Sequence, residues 1–283
     1  MKNVKWFLGL IWFFASVASA DYTLMINEFR GGKESARWQP LADYLTKEIG
    51  KKVNIISNKP SGIIKRSRKA DFFLANPVIT VKVIDAHGFK PIATLNHKTA
   101  GSTLSGQIIV RDDSPIRDLS QISGKKVAVV NKKNAAGGFI FQAYELLKAG
   151  FDPEKDFKAF WEIQNQNAII FRVLKGQLDV GFIRTGQLNR FAKENTSLDI
   201  SKIRILNKQG DSNRSTELFP HWAFSAKNSV PASVVDKVKT ALMSMTPVTP
   251  ASKKANIKGF VKLGDYAGFK NVMIKLKVYN FKN

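Results

Sequence analysis

Residues 126–150 read KVAVVNKKNAAGGFIFQAYELLKAG. Residues 127–130 are a short apolar run, as expected of a strand covered on both faces. A helix is predicted from about Phe139 to Ala149, with Gly150 as its stop. Between the two stands NKKNAAGG, a loop that its glycines let approach a neighbour closely. A strand running through such a loop into a helix N-terminus is half of a βαβ unit. The helix start also presents unpaired N–H groups and a partial positive charge, which suit an anion. Asn134 is the candidate cap of this helix. Ala136, Gly137 and Gly138 supply the candidate amides.

The same alternation continues on either side. Upstream, residues 22–26, 53–56, 71–75 and 91–95 read as strands. Trp38, Leu41, Leu45 and Ile49 recur at helical spacing, with Gly50 behind them. Pro40 fits that helix if it lies in the first turn, where no donor is lost. Asn76-Pro77 opens a second helix, running to about Ala86. Downstream, residues 107–110, 158–162 and 179–183 are extended, residues 165–175 are helical, and Thr185-Gly186 starts another helix. Residues 202–206 and 222–225 are returning strands, and a helix covers about 232–245. Two such series predict an α/β protein of two lobes, with mostly parallel sheets covered by helices. Ligands of such sheets sit at the carboxyl ends of strands.

The N-terminus reads as an export signal. Lys2 and Lys5 precede the apolar run FLGLIWFF, and Ala18-Ser19-Ala20 has the small-residue cleavage pattern, so residues 1–20 are expected to be removed. The run is too short to cross a bilayer. Among 283 residues, 45 Lys and Arg face 22 Asp and Glu, a formal net charge of +23. In an exported chain this surplus suits an anionic ligand, an acidic partner or an anionic lipid surface, or is simply a solvated lysine-rich surface. Nucleic acid is not an expected partner. Cysteine is absent, which excludes disulfides, thiolate chemistry and a lipoprotein anchor. The expected compartment is the periplasm of a Gram-negative cell.

No catalytic constellation stands out. His87, His97 and His221 are the three histidines and lack metal-ligand spacing. The chain has no G-x-S-x-G, no H-E-x-x-H and no G-x-x-x-x-G-K. It reads as a binding protein, not an enzyme, with no cofactor. Besides the 131–138 loop, two junctions suit an anion. In the stretch 183–186, Arg184 can clamp an oxyanion with two parallel bonds and Thr185 adds a hydroxyl. At the other junction, Asn76 and Thr80 stand where a strand turns into a helix. Phe29, Phe139, Trp161, Phe219 and Trp222 are the aromatics near these junctions.

Several stretches together carry a family resemblance: ARWQPLADYL (36–45), DFFLANPVITV (71–81), SGQIIVRDDSPIRDLSQISGKKVAVV (105–130), AGGFIFQAYELLKAGFDPEKDF (136–157), LKGQLDVGFIRTGQL (174–188) and STELFPHWAF (215–224). In this order they resemble the phosphate/phosphonate-type periplasmic binding proteins, in particular the branch that forms the sensing domain of tetrathionate-sensor-like histidine kinases. The resemblance implies a type II periplasmic-binding-protein fold: two α/β lobes joined by crossover strands, with the ligand in the cleft between them. One lobe would combine residues 21–103 with 227–283, and the other would be 104–226. It implies a monomer that closes on a small anion and is read by the permease of an ABC importer or by a membrane histidine kinase. The implied ligand set is Arg184, Thr185, Asn134 and the Ala136–Gly138 amides from one lobe and Asn76 and Thr80 from the other, with Phe29 or Trp222 shaping the walls. Typical phosphonate binders carry Ser and Thr in the loop at 134–138, where this chain has Asn-Ala-Ala-Gly-Gly. That departure puts hydroxyl coordination in doubt and leaves the backbone amides as donors. The sensor kinases fuse this domain to a membrane helix, whereas this chain is expected to be free-standing.

Overall fold

The computed structural model describes residues 21–28, 33–59, 61–153 and 155–282. The expected export signal and Phe29 lie outside the described residues.

The first half of the chain runs β1 (Tyr22–Asn27), α1 (Glu34–Ile49), β2 (Val53–Asn58), α2 (Ile63–Ser67), β3 (Phe72–Ala75), α3 (Pro77–His87) and β4 (Phe89–His97). A short β5 (Thr103–Leu104) leads into β6 (Gly106–Arg111), β7 (Lys126–Val129), α4 (Phe141–Lys148), β8 (Ala159–Glu162), α5 (Gln166–Leu174), β9 (Val180–Arg184), α6 (Gln187–Glu194) and β10 (Ile203–Leu206). The chain returns through β11 (Phe219–Pro220) and β12 (Ala223–Lys227). It ends in α7 (Ala232–Ser244), α8 (Pro250–Ala255), β13 (Ile257–Val261) and α9 (Tyr266–Lys275).

The strands form a six-stranded sheet, β13-β4-β12-β3-β1-β2, and a five-stranded sheet, β10-β6-β9-β7-β8. The fold class is α/β, as expected, but the sheets are mixed rather than mostly parallel. β1, β2 and β3 pair in parallel, as do β7, β8 and β9. β12 and β6, which enter from the crossing segments, pair antiparallel with their neighbours. A strand that arrives from the other sheet, not over a crossover helix, enters from the opposite end and runs the opposite way. Between the sheets, β5 and β11 pair as a two-stranded ribbon, Phe219 opposite Leu104.

α1 begins at Glu34, so Pro40 is its seventh residue, not a first-turn residue. An interior proline removes one hydrogen bond and disfavours a helix by about 3 kcal/mol. The opposing effect is burial: Trp38, Leu41, Ala42 and Leu45 are all within 1% of complete enclosure. The two faces of α3 serve different cores. Ile79 and Val83 pack with Met25, Phe73 and Phe89 under the six-stranded sheet. Val78 and Val81 belong to the cluster built on β6, β7, β9 and α4. The C-terminal segment divides likewise: α7, α8 and β13 pack on the six-stranded sheet, whereas Phe269, Val272 and Met273 of α9 join the cluster of the five-stranded sheet.

At the centre of that cluster Phe141 stacks on Phe219 at 4.4 Å and meets Phe269 edge-on at 5.7 Å. It thereby ties α4, the crossing ribbon and α9 together, with no exposed surface. Phe141→Ala is expected to lower stability by about 3–5 kcal/mol through lost contacts and the cavity left behind. Chemical denaturation of the two proteins measures the difference.

Candidate anion-binding site

β7 ends at Val129, and the chain does not pass directly into a regular helix. Residues Ala136–Ile140 form a π-helical turn that leads into α4. Asn134 does not cap it: the cap position is Ala135, which makes no side-chain bond there. Instead Asn131 Oδ1 accepts from the N–H groups of Lys133 and Asn134 at 3.1 and 2.8 Å. This turn shapes the loop from its start and leaves Asn134 facing α3. A wide turn brings the helix start close to β9. A Cβ on Gly137 would lie 3.0 Å from the Ser105 carbonyl oxygen and 3.1 Å from Arg184 Cβ. Only glycine lets these three backbones approach so closely.

Gln142 holds the arrangement from beneath. Its side chain is fully buried, and its Nε2 donates to the carbonyls of Gly137 and Ile183 at 2.8 Å and of Gln107 at 3.2 Å. It thus joins the turn to β9 and β6. A Cβ on Gly106 would come within 2.3 Å of that nitrogen, so position 106 is closed to any larger residue unless Gln142 moves.

The N–H groups of Ala136, Gly137 and Gly138 have no acceptor among the described residues. Ala136 and Gly138 are buried. Buried backbone donors are almost always paired, so three successive ones without a protein acceptor at a helix start form a cradle for a ligand anion or for ordered water.

Arg184 ends β9 beside this turn. Its N–H donates to Gln166 Oε1 at 2.9 Å, and a guanidinium nitrogen donates to Gln187 Oε1 at 2.8 Å. Gln187 is held in turn by Asn167 at 2.7 Å. The guanidinium is therefore oriented by a fixed amide. Thr185 Oγ1 accepts from Ser105 Oγ at 2.8 Å, and its N–H donates to the Ser105 carbonyl.

From the six-stranded side, Asn76 caps α3, with Oδ1 accepting from Ile79 N–H at 3.1 Å. Its Nδ2 donates to the Asn134 carbonyl at 3.2 Å. The structure thus brings Asn76 and Asn134 together, each already engaged. Thr80 is fully buried, and its hydroxyl donates to the Ala75 carbonyl at 3.2 Å, so it stabilises the β3–α3 turn from within. Trp222 packs partly against the core of the six-stranded sheet. Phe139 and Phe219 are core residues, whereas Trp161 is 43% exposed on the edge strand β8.

The main residue missed in the sequence is His221. It is buried, stacked on His97 with ring centroids 5.8 Å apart, and within reach of the positive charges of Arg184 and Arg37. Burial first, then those neighbouring cations, pushes its pKa down to about 3. Its Nδ1 accepts from Trp222 N–H at 2.8 Å, so the proton of the neutral ring sits on Nε2. That nitrogen is a donor with no acceptor among the described residues. Arg37 itself is bound to the Ala255 carbonyl at 2.6 Å and to Glu34 at 3.3 Å. Two surface depressions, at Glu48, Asp236 and Thr240 and at Asp112, Leu188 and Arg204, lie away from this donor set.

The 136–138 turn and Arg184 are thus neighbours at Gly137, and the neutral His221 imidazole lies within reach of the Arg184 charge. A family model described as the periplasmic substrate-binding protein of phosphonate ABC transporters matches residues 27–266. The chain belongs to that family. Like other members of this binding-protein family, it is similar in fold to proteins of known structure. The Xanthomonas citri protein XAC2383 bound to ATP is 16% identical with a TM-score of 0.76, over 92% of this chain and 98% of that one. A binding-protein component of a phosphonate ABC transporter from Pseudomonas aeruginosa is 16% identical with a TM-score of 0.69, over 91% and 87%. PhnD1 from Prochlorococcus marinus in complex with methylphosphonate is 14% identical with a TM-score of 0.67, over 91% and 98%. These likenesses show a type II periplasmic-binding-protein fold. The tetrathionate sensor histidine kinase TtrS of Salmonella typhimurium is 24% identical over 227 residues. The chain aligns over 75% of its own length and only 38% of that kinase's length. No described helix is long and apolar enough to cross a membrane.

The neutral His221 has a pH signature. Its folded pKa lies below its ordinary value of 6.5, so in the window between 6.5 and about 3 the unfolded chain binds more protons. Its contribution to stability is complete above pH 6.5 and is lost as pH falls through that window. Histidine NMR resonances are expected to show the His221 ring untitrated from pH 8 to 5. The wild type is also expected to lose more stability between pH 7 and 5 than His221→Gln does.

Proposed function

We propose that the chain is exported across the inner membrane on a cleavable signal at residues 1–20 and acts in the periplasm as a receptor for a small oxyanion. It delivers that anion to the permease of an ABC importer. The observation that carries this reading is the convergence of three unpaired amides, the oriented Arg184 guanidinium and the neutral His221 donor. Such a set suits a tetrahedral oxyanion of phosphonate, phosphate or sulfur chemistry: each donor meets one oxygen, and the guanidinium balances the charge. The methylphosphonate bound by PhnD1 is consistent with it.

In this reading residues 21–103 and 227–283 form one lobe and residues 104–226 the other, except that β12 (Ala223–Lys227) pairs within the sheet of the first, and α9 bridges between them. The β5–β11 ribbon and the adjacent crossings are the hinge, and closure encloses the anion. The protein works as a monomer, without cofactor, catalysis or nucleic acid. A donor set that holds an oxyanion but offers it no nucleophile or general base suits capture, not turnover. The likeness to TtrS favours one alternative: the same closed form read by a membrane histidine kinase as a sensing domain. Co-purification of the closed protein with permease or with kinase separates the two.

A thermal-unfolding screen of the purified mature protein over phosphate, methylphosphonate, thiosulfate, tetrathionate and small carboxylates tests the ligand class. An anion at 100 times its dissociation constant is expected to stabilise the protein by about 2.7 kcal/mol. Arg184→Ala is expected to remove most of that shift and leave the unliganded melting temperature nearly unchanged. No shift with any oxyanion, or an undiminished shift in Arg184→Ala, counts against the reading.

A further inference from the structure

Lys82 is a buried lysine whose side chain forms no ion pair with a carboxylate among the described residues. It stands on α3, 5% exposed, and its Nζ donates to the Lys133 carbonyl at 2.7 Å and to Asn134 Oδ1 at 3.2 Å. Six residues earlier, at the N-cap of the same helix, Asn76 Nδ2 donates to the Asn134 carbonyl at 3.2 Å. α3 is anchored in the six-stranded half by Ile79 and Val83. The 131–135 loop belongs to the five-stranded half and runs directly into the Ala136–Gly138 amides. All three bonds therefore cross between the halves, and all end on Lys133 and Asn134, which only Ala135 separates from the cradle.

The surroundings of Lys82 are built for this contact. Val78 and Val81 flank it on the helix and enter the apolar cluster that contains Ala136, Phe139 and Ile140. The Tyr279 ring lies 5.3 Å from its Nζ on the C-terminal side, and the tail is fixed to the same helix by Lys282 N–H on Asp85 at 3.2 Å. Burial, and then the charge of Lys133, lower its pKa to about 8. An ammonium held in such surroundings is retained by the acceptors it meets, and here both belong to the opposite half.

We propose that Lys82, assisted by Asn76, is a latch between the two halves that also positions the amide cradle, so that closure and the shaping of the anion site are one event. Lys82 is a positioning residue: it acts on the ligand through the 133–134 backbone. The proposal rests on the two-lobe reading given above but needs no ligand for its test.

The chain has no cysteine, so two can be introduced cleanly for spin labels. Lys193→Cys on α6 and Lys237→Cys on α7 are exposed and lie one on each half. Pulsed electron paramagnetic resonance on the labelled, ligand-free protein is expected to give one narrow distance. Lys82→Met in the same background is expected to add a distinct longer distance, whereas Lys82→Arg, which keeps the donors, retains mainly the narrow one. Asn76→Ser preserves the α3 cap and removes only the crossing donor. It is expected to shift the distribution in the same direction, and it decides the question should Lys82→Met fail to fold. A wild-type distribution in folded Lys82→Met, or in Asn76→Ser where Lys82→Met does not fold, overturns the latch. If no anion stabilises the wild type while Lys82→Met still opens, the receptor reading fails and the latch stands.

Discussion

The site depends on the close approach of three backbones at Gly137. The Ser105 carbonyl at the start of the five-stranded half, Arg184 at the end of β9 and the turn that opens α4 meet where a Cβ would be tightly crowded. From below, the buried carboxamide of Gln142 donates to the carbonyls of Gly137 in the turn, Ile183 in β9 and Gln107 in β6. Because of that contact the turn at 136–138 and Arg184 stand side by side although about 46 residues separate them in the chain. The π-helical turn follows from the same constraint. A regular α-helix begun at Ala136 would carry a tighter first turn, and the wider one accommodates the approach. Such turns recur at functional sites because the irregularity leaves backbone groups available.

The alternation of strands and helices was legible from local pattern, since each apolar run in residues 22–26, 53–56, 71–75 and 127–130 is bounded by turn residues. Arg184, Asn76 and the glycine turn were legible as strand-end features, and the structure places them near one another. Three things were hidden, each because a partner far along the chain decides it. The direction of β12 and β6 follows from the crossing segments, which periodicity does not describe. Pro40 suggests a helix start, yet the enclosure of Trp38 and Leu45 extends α1 past it. His221 carries no motif. Its role comes from His97, Arg184 and Arg37, which lie 124, 37 and 184 residues away in the sequence, and from the adjacent Trp222 N–H that fixes its tautomer. Asn134 shows the opposite error. Its residue type suits a cap, but Asn131 takes over the loop's N–H groups and frees Asn134 to meet α3.

The surplus of positive charge has two scales. At long range, 45 basic residues raise the local concentration of any anion near the protein, an effect that salt screens within about 10 Å at 0.1 M. At the crevice, specificity rests on fixed donors. Arg184 is oriented by Gln187, and the His221 ring stays neutral, so it donates one hydrogen bond without adding titratable charge. A ring that protonated near neutrality would make anion affinity swing with external pH, which varies far more in the periplasm than in the cytoplasm. Stacking His97 beside it and burying it between two arginines prevents that.

The magnitude of the Lys82 and Asn76 contacts decides what they can do. A protein hydrogen bond contributes about 1 kcal/mol net, so three crossing bonds supply about 3 kcal/mol. Part of this is offset by burying the ammonium, as its lowered pKa shows. Driving a two-state equilibrium from one per cent closed to ninety-nine requires about 5.5 kcal/mol. On the proposed two-lobe reading, crossing bonds of this size bias the halves toward the arrangement seen here and fall short of locking it. That intermediate value suits a receptor. A fully open protein would lose affinity in proportion to its small competent fraction, whereas a permanently closed one would exchange its anion slowly and signal occupancy whether loaded or empty. With the bonds ending on residues 133 and 134, the energy that biases closure is applied at the same backbone segment that shapes the 136–138 amides. An anion bound to those amides and the latch from α3 therefore stabilise one conformation of one loop, and each strengthens the other.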